Sequence, residues 1–358
     1  MSLEYNFQHI NILLVEDNVY VRRILENVLK QLTVGGVTPA KNGVDAIERL
    51  KSGGGGVIGG SRFDLIISDM VMAPVDGLLF LKWVRESKDS PDRFIPFIMM
   101  SGAADDENVQ KARDLGINEF LAKPFSAGSV CERLLQLIDQ PRQFVATTNY
   151  FGPDRHRRRE GAGEDDRREI TEDDATIVYS TDRIVRPKDP KQVYYFRLPN
   201  RLKEKAGGLG GKGKGTLPLY ALEEADGTLR RNSFEFHDWA LEYLAMMSKI
   251  CDKALELPEG RRRKPFEKIN EIAHELRGQG GTFGYPLITS VGKMLYEITG
   301  FACSVDEMAI RIVKAHIDTM RVVFRDKVTG DGGELGRELI KTLIRIIRQE
   351  QLGETAAD

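Results

Sequence analysis

Cysteine is scarce: Cys131, Cys251 and Cys303 are the 3 in 358 residues, and all fall in stretches with helical periodicity. Isolated thiols of this kind read as buried core groups and exclude a disulfide framework. Long apolar runs are missing as well. No stretch approaches the ~20 apolar residues that a bilayer crossing needs, and no basic segment followed by an apolar core opens the sequence. The reading is therefore of a cytoplasmic protein without a membrane partner. An excess of one charge is lacking too, since 52 Lys and Arg face 54 Asp and Glu for a net of -2. That balance argues against general nucleic-acid binding. What remains is a chain longer than one usual domain, for which two domains and connecting material are the natural expectation.

The stretch 63–77, FDLIISDMVMAPVDG, organises the rest. It is an apolar run that stops at Asp69 and is closed by a turn at Asp76 and Gly77. Two further runs, INILLVED at 10–17 and IPFIMMSG at 95–102, also end abruptly in polar residues. Each predicts a buried strand of a parallel sheet. In such sheets function gathers beyond the carboxyl ends of the strands, so Glu16, Asp17, Asp69 and Ser101 are expected in one crevice. A fourth run, EFLAKPF at 119–125, brings Lys123 to the same edge. Three carboxylates, a hydroxyl and an ammonium are too costly to gather for packing alone.

These residues resemble the receiver domain of two-component response regulators. The likeness rests on the acidic pair Glu16 and Asp17, on Asp69 followed by Met72 and Asp76-Gly77, on Ser101, and on Lys123-Pro124-Phe125. One departure is visible: Ala73 stands between Met72 and Pro74, where the family usually places proline directly after methionine. The resemblance implies Asp69 as phosphoacceptor, Mg²⁺ held by Glu16, Asp17, Asp69 and the Val71 carbonyl, Lys123 as phosphoryl partner, Ser101 as switching hydroxyl and Phe120 as the coupled aromatic. Hard oxygen ligands suit that ion.

Along the chain, helical stripes alternate with the strands. One runs over 18–32 with Asn18 as its cap, and others cover 44–50, 78–85, 107–115 and 129–138. A weak strand is expected at 37–40 and a flexible glycine-rich insertion at 52–61. Residues 1–140 therefore predict a doubly wound, five-stranded parallel α/β receiver fold. From 141 to 232 the composition turns to mixed charge, including Arg155, Arg157, Arg158 and Arg159, and predicts a solvated linker. Within it 176–179 and 192–198 are the only candidates for a short β ribbon. GGLGGKGKGT at 207–216 has Gly215 after Lys214 where a phosphate-binding loop has serine or threonine, and no strand precedes it, so a hinge is expected there. Residues 233–352 read as a helical bundle, with helices over 236–255, 266–281, 288–300, 305–328 and 334–351 and a capping box from Ser304 and Glu307.

Inside that bundle lies AHELRGQGGTFGY, 273–285. A helical glycine costs about 1 kcal/mol relative to alanine, so Gly278, Gly280 and Gly281 together cost roughly 3 kcal/mol unless the bare surface is wanted. Clearing it beside His274 lets a partner approach the imidazole, and Arg277 one turn on can pair with a phosphoryl group. The stretch resembles the histidine phosphotransfer domain through His274, Arg277, Gly278, Gly280 or Gly281, and Gly284. His9, His156, His237 and His316 have no such flank and read as structural or surface residues.

The leading expectation is a phosphorelay protein with Asp69 and His274 as carriers. Its partners would be a sensor histidine kinase or another phosphotransfer or receiver protein. It is read as a phosphoacceptor rather than an enzyme, because no nucleotide-binding kinase segment is present. The alternatives are a phosphorylation-regulated scaffold in which His274 carries nothing, and a nucleic-acid regulator using Arg155 to Arg159, which the absence of a helix-turn-helix pattern disfavours.

Overall fold

The structure is a computed structural model that describes residues 3–52, 62–102, 106–155, 175–179, 186–207, 214–231, 233–281 and 283–352. Residues 53–61 of the expected glycine insertion, most of the arginine cluster, His156 and residues 208–213 of the expected hinge at 207–216 lie outside the described residues. The chain divides into two compact units, one of Met1–Ala122 and Ala127–Thr228, the other of Lys123–Ser126 and Leu229–Asp358.

The first unit opens with β1 (Leu3–Glu4), β2 (Asn11–Val15), α1 (Val19–Gln31), β3 (Gly36–Ala40) and α2 (Gly43–Ser52). It continues through β4 (Leu65–Asp69), α3 (Gly77–Glu86), β5 (Phe97–Gly102), α4 (Asp106–Asp114), β6 (Glu119–Lys123) and α5 (Ala127–Asp139). Five strands form one parallel sheet in the order β3-β2-β4-β5-β6. The order reverses at β2, as in doubly wound sheets that open a crevice at the switch point. Both faces are covered at the middle of the sheet, where Ile12, Leu13, Leu14 and Val15 of β2 and Ile66 of β4 are all fully buried. On α1 the buried residues are Val21, Ile24, Leu25, Val28 and Leu29, and Asn18 caps the helix by accepting from the Tyr20 and Val21 amides. The flavodoxin-like architecture expected for 1–140 is present.

The stretch 141–232 departs from the expected linker. It supplies β7 (Phe144–Ala146), β8 (Phe151–Pro153), β9 (Ala175–Val178), β10 (Val193–Phe196), α6 (Arg201–Lys205), β11 (Gly215–Thr216) and α7 (Leu219–Arg231). β9 and β10 fall on the two segments read as a possible ribbon, but they join β7 and β8 in a four-stranded sheet ordered β8-β7-β10-β9. The physical reason is aromatic. Phe144, Phe151 and Phe196 each lie within 5.1 Å, centroid to centroid, of Phe94, which enters from the loop before β5. Composition averaged over the stretch hides three phenylalanines that gather on Phe94. The return is tied down further along: Lys205 pairs with Asp64 at 2.7 Å, and β11 pairs in parallel with β1.

The second unit is helical: α8 (Ser233–Leu255), α9 (Arg263–Gln279), α10 (Pro286–Ile298), α11 (Glu307–Arg325) and α12 (Gly333–Leu352). All five expected helices are present. Its core joins Phe236, Phe283, Tyr285 and Phe324, with Phe236 stacked on Phe283 at 4.7 Å. One expected cap is corrected: Asp306, not Ser304, accepts from the Ala309 amide at 2.7 Å, while the Ser304 hydroxyl donates to Asp306. A carboxylate directly preceding the helix satisfies the orphan amide and suits the positive end of the helix dipole. Among the described residues no helix is long and apolar enough to cross a membrane.

Candidate functional site: an acidic crevice at the sheet edge

Glu16 and Asp17 follow β2 directly, and Asp69 is the last residue of β4. Each brings one carboxylate oxygen to within 4.8 Å of the other two. Glu16 and Asp69 are buried, at 0% and 1% exposure, while Asp17 is exposed. The surrounding chain fixes these groups. The Asn18 amide donates to Glu16 at 3.2 Å, and Arg22 donates to the Glu16 carbonyl at 2.6 Å. The Met70 amide donates to Asp69 Oδ1 at 2.9 Å, and Ser68 donates to the Asp69 carbonyl at 2.9 Å. Asp76 caps α3 by accepting from the Leu79 amide at 2.7 Å. Gly77 is required by contact, because a Cβ there would overlap the Asp69 carbonyl oxygen and lie 2.8 Å from Met99 Sδ.

The other expected residues occupy the same edge of the sheet. Ser101 lies in β5 and is 6% exposed, Lys123 ends β6 and is 3% exposed, and Val71 follows β4 on the surface. Phe120 is partly buried against the core that includes Phe97, Met99 and Ile117.

Residues 12–135 match the response regulator receiver domain. They form a receiver domain. Two chemotaxis proteins are similar to it in sequence. CheY-3 of Vibrio cholerae is 28% identical over 133 residues, covering 37% of this chain and 95% of that protein. CheY of Pseudomonas aeruginosa is 28% identical over 129 residues, covering 36% and 96%. Among solved structures, CheY4 of Vibrio cholerae matches with 26% identity and a TM-score of 0.31 over 36% of this chain and 97% of that one. The receiver domain of a Pseudomonas aeruginosa sensor histidine kinase, which holds magnesium in its active-site cleft, matches with 28% identity and a TM-score of 0.29 over 35% and 93%. The receiver family places this chain's amino-terminal third in two-component signalling.

The donor set suits a divalent cation. Three clustered carboxylates are hard oxygen ligands, and two of them are buried, where uncompensated negative charge is expensive. Glu16, Asp17 and Asp69 therefore fit the Mg²⁺ expected of a receiver.

In the second unit His274 and Arg277 both lie on α9, and Arg277 Nη2 stands 3.1 Å from His274 Nδ1. A guanidinium only donates, so Nδ1 is the acceptor side of this contact. The Arg277 guanidinium also lies over the Tyr296 ring at 4.4 Å, and the His274 ring is 5.6 Å from the same tyrosine. The glycine pattern divides into parts. Gly280 is needed inside the unit, since a Cβ would approach the Thr289 amide at 2.7 Å and the Tyr285 carbonyl at 2.8 Å. Gly284 has φ +84°, a left-handed conformation that favours glycine. Sequence spacing could not separate these packing and turn roles from a cleared partner surface.

Sequence reading also missed Arg85, which is 1% exposed. Its guanidinium donates to the carbonyls of Gly116, Arg93 and Ile95 at 2.7–3.0 Å and to the Asn118 side chain at 2.9 Å. An arginine continuing the apolar stripe of α3 was the available signal.

Proposed function

We propose that the chain is a phosphoacceptor signalling protein in which Asp69 takes a phosphoryl group from a phosphohistidine partner and His274 passes one on. The observation that carries the first half is the meeting of Glu16, Asp17 and Asp69 within 4.8 Å at the ends of two adjacent strands. An Asp69 carboxylate oxygen attacks phosphorus in line with the partner's imidazole nitrogen. The O–P bond forms, the P–N bond breaks, and the electron pair returns to the ring. Mg²⁺ held by Glu16, Asp17, Asp69 and the Val71 carbonyl would supply charge neutralisation between acceptor and phosphoryl oxygens. Lys123 adds a cation at the same edge, and Ser101 is the hydroxyl placed to respond once Asp69 is modified. Repacking of Phe120 would carry that response to the surface. No turnover of a substrate is implied, so the protein is a carrier rather than an enzyme.

For the second half, α8 to α11 are read as an antiparallel bundle, which neighbour contacts between α8 and α9, α9 and α10, α10 and α11, and α8 and α11 support. His274 is its candidate carrier, with Arg277 as the group that meets the phosphoryl charge. One observation favours a second reading, a phosphorylation-regulated scaffold: the Arg277 hydrogen bond occupies the lone pair of Nδ1, and part of the glycine pattern serves internal packing. On that reading His274 is held by Arg277 and carries nothing.

Acetyl phosphate with Mg²⁺, followed by exposure to a phosphorylated receiver, tests both halves. Asp69→Asn should abolish base-labile acyl phosphate, and labelling that persists would remove Asp69 from its role. A relay should add acid-labile phosphate lost in His274→Gln, whereas acyl phosphate alone selects the scaffold.

A further inference from the structure

Within the first unit, between the loop that leads to β5 and the four-stranded sheet, lies a cavity of about 1170 Å³. Its charge is one-sided. Lys88, Arg93, Arg186, Arg197 and Arg201 line it, and none forms an ion pair among the described residues. Of the lining carboxylates, Asp64 is taken by Lys205 at 2.7 Å, and Asp92 accepts from the Phe94 amide at 2.8 Å. Burial, and then the neighbouring Arg186 guanidinium, hold Arg93 below the usual arginine value. Two like charges thus lie near each other, and among the described residues neither is in an ion pair. Arg93 is oriented by donating from Nε to the Ser87 carbonyl at 3.0 Å.

The cavity also has an apolar side, to which Phe63, Phe94, Phe144 and Phe196 contribute. Small-molecule pockets usually run to roughly 300–1,000 Å³. A bare inorganic anion would satisfy the arginines but leave most of this space and all of the aromatic lining unused. Planar guanidinium forks match phosphate oxygens and also stack on flat rings. A whole chain with net charge -2 does not concentrate cations here by composition.

We propose that this cavity binds a nucleotide-class ligand, its phosphates on Arg93, Arg186 and Arg197 and its flat ring against the phenylalanine side. The site is separate from the carboxylate crevice and stands whether or not Asp69 accepts phosphate.

Isothermal titration calorimetry of the full chain carrying Asp69→Asn, in EDTA, with ATP and separately with inorganic pyrophosphate, tests it. The substitution and the chelator remove receiver chemistry from the readout. ATP should bind saturably and at least tenfold tighter than pyrophosphate, and affinity should fall as salt rises. The double variant Arg186→Gln, Arg197→Gln should weaken ATP at least tenfold without lowering the melting temperature, because both side chains are exposed. Should that variant melt early, the Arg186→Lys, Arg197→Lys pair keeps the charge while removing the forks and should give a smaller loss. Absence of saturable ATP binding, pyrophosphate binding as tight as ATP, or ATP affinity unchanged by both pairs would each overturn the assignment.

Discussion

Gly77 governs how firmly Asp69 is held, and Arg85 how firmly the end of α3 is anchored. At Gly77 there is no room for a methyl group, because the Asp69 carbonyl occupies that place and the Gly77 amide donates to the Met70 carbonyl at 3.0 Å. Gly77→Ala should therefore lower stability by about 1–3 kcal/mol, as overpacking does. It should also slow labelling of Asp69 on the order of tenfold through misplacement of the carboxylate. Urea unfolding and the rate of phosphate incorporation check the two effects, and a variant with wild-type values in both would show that the strand end yields freely. Arg85 acts elsewhere, since its guanidinium joins the end of α3 to the Gly116 turn, to Ile95 in the loop before β5 and to Asn118. Burial lowers its pKa to about 10, a measure of the cost its four acceptors offset. Arg85→Met strands those acceptors, and a loss of about 3–5 kcal/mol is expected in the same urea experiment. A loss below 1 kcal/mol would mean that water replaces the guanidinium without difficulty.

At the scale of elements, helix α11 offers a pH signature. His316 is fully buried, its Nδ1 lies 2.8 Å from the Ile312 carbonyl, and burial pushes its pKa down. The folded ring is held neutral, so the unfolded chain binds the proton more readily. Stability should accordingly fall as pH drops below about 6.5, the value for an unperturbed histidine, and continue to fall toward the lowered folded value. Thermal melts of wild type and His316→Leu between pH 5 and 8 should converge at the acid end, and parallel curves would sink the assignment. Elements of this kind were legible in advance where pattern and burial agree. The buried strands at 11–15 and 65–69, the stripe of α1 and all five carboxyl-terminal helices follow from apolar spacing, and the carboxylates at the strand ends come with them. The cap of α11 was misread because Ser304 fits a capping box, while Asp306 lies closer to the first free amide. The β7 and β8 strands are 3 residues each, too short for any period to register. Arg85 and the roles of Gly280 could not be read either, since each depends on atoms far away in sequence.

On the scale of the whole molecule, the receiver boundary drawn by family likeness at 135 is not the physical boundary. Phe94 belongs to the matched segment, yet its ring partners Phe144, Phe151 and Phe196 come from the segment that follows. Arg85 likewise carries Phe144 beneath its guanidinium at 5.2 Å. A fragment spanning 1–140 keeps Glu16, Asp17 and Asp69 but exposes Phe94, which forfeits about 1.5–3 kcal/mol of burial. It also gives up about 0.5–1 kcal/mol from the cation–π contact. The fragment 1–228 retains both. The shorter piece should therefore unfold at lower urea, with a difference of about 2–4 kcal/mol, and should bind a hydrophobic dye that the longer one ignores. Both should still accept phosphate at Asp69, because Glu16, Asp17 and Asp69 and the amides of Asn18 and Met70 that hold two of them lie before residue 140. Equal stability of the two fragments would show that the four-stranded sheet rests on the receiver without supporting it, and that Phe94 finds adequate cover from the first 140 residues alone.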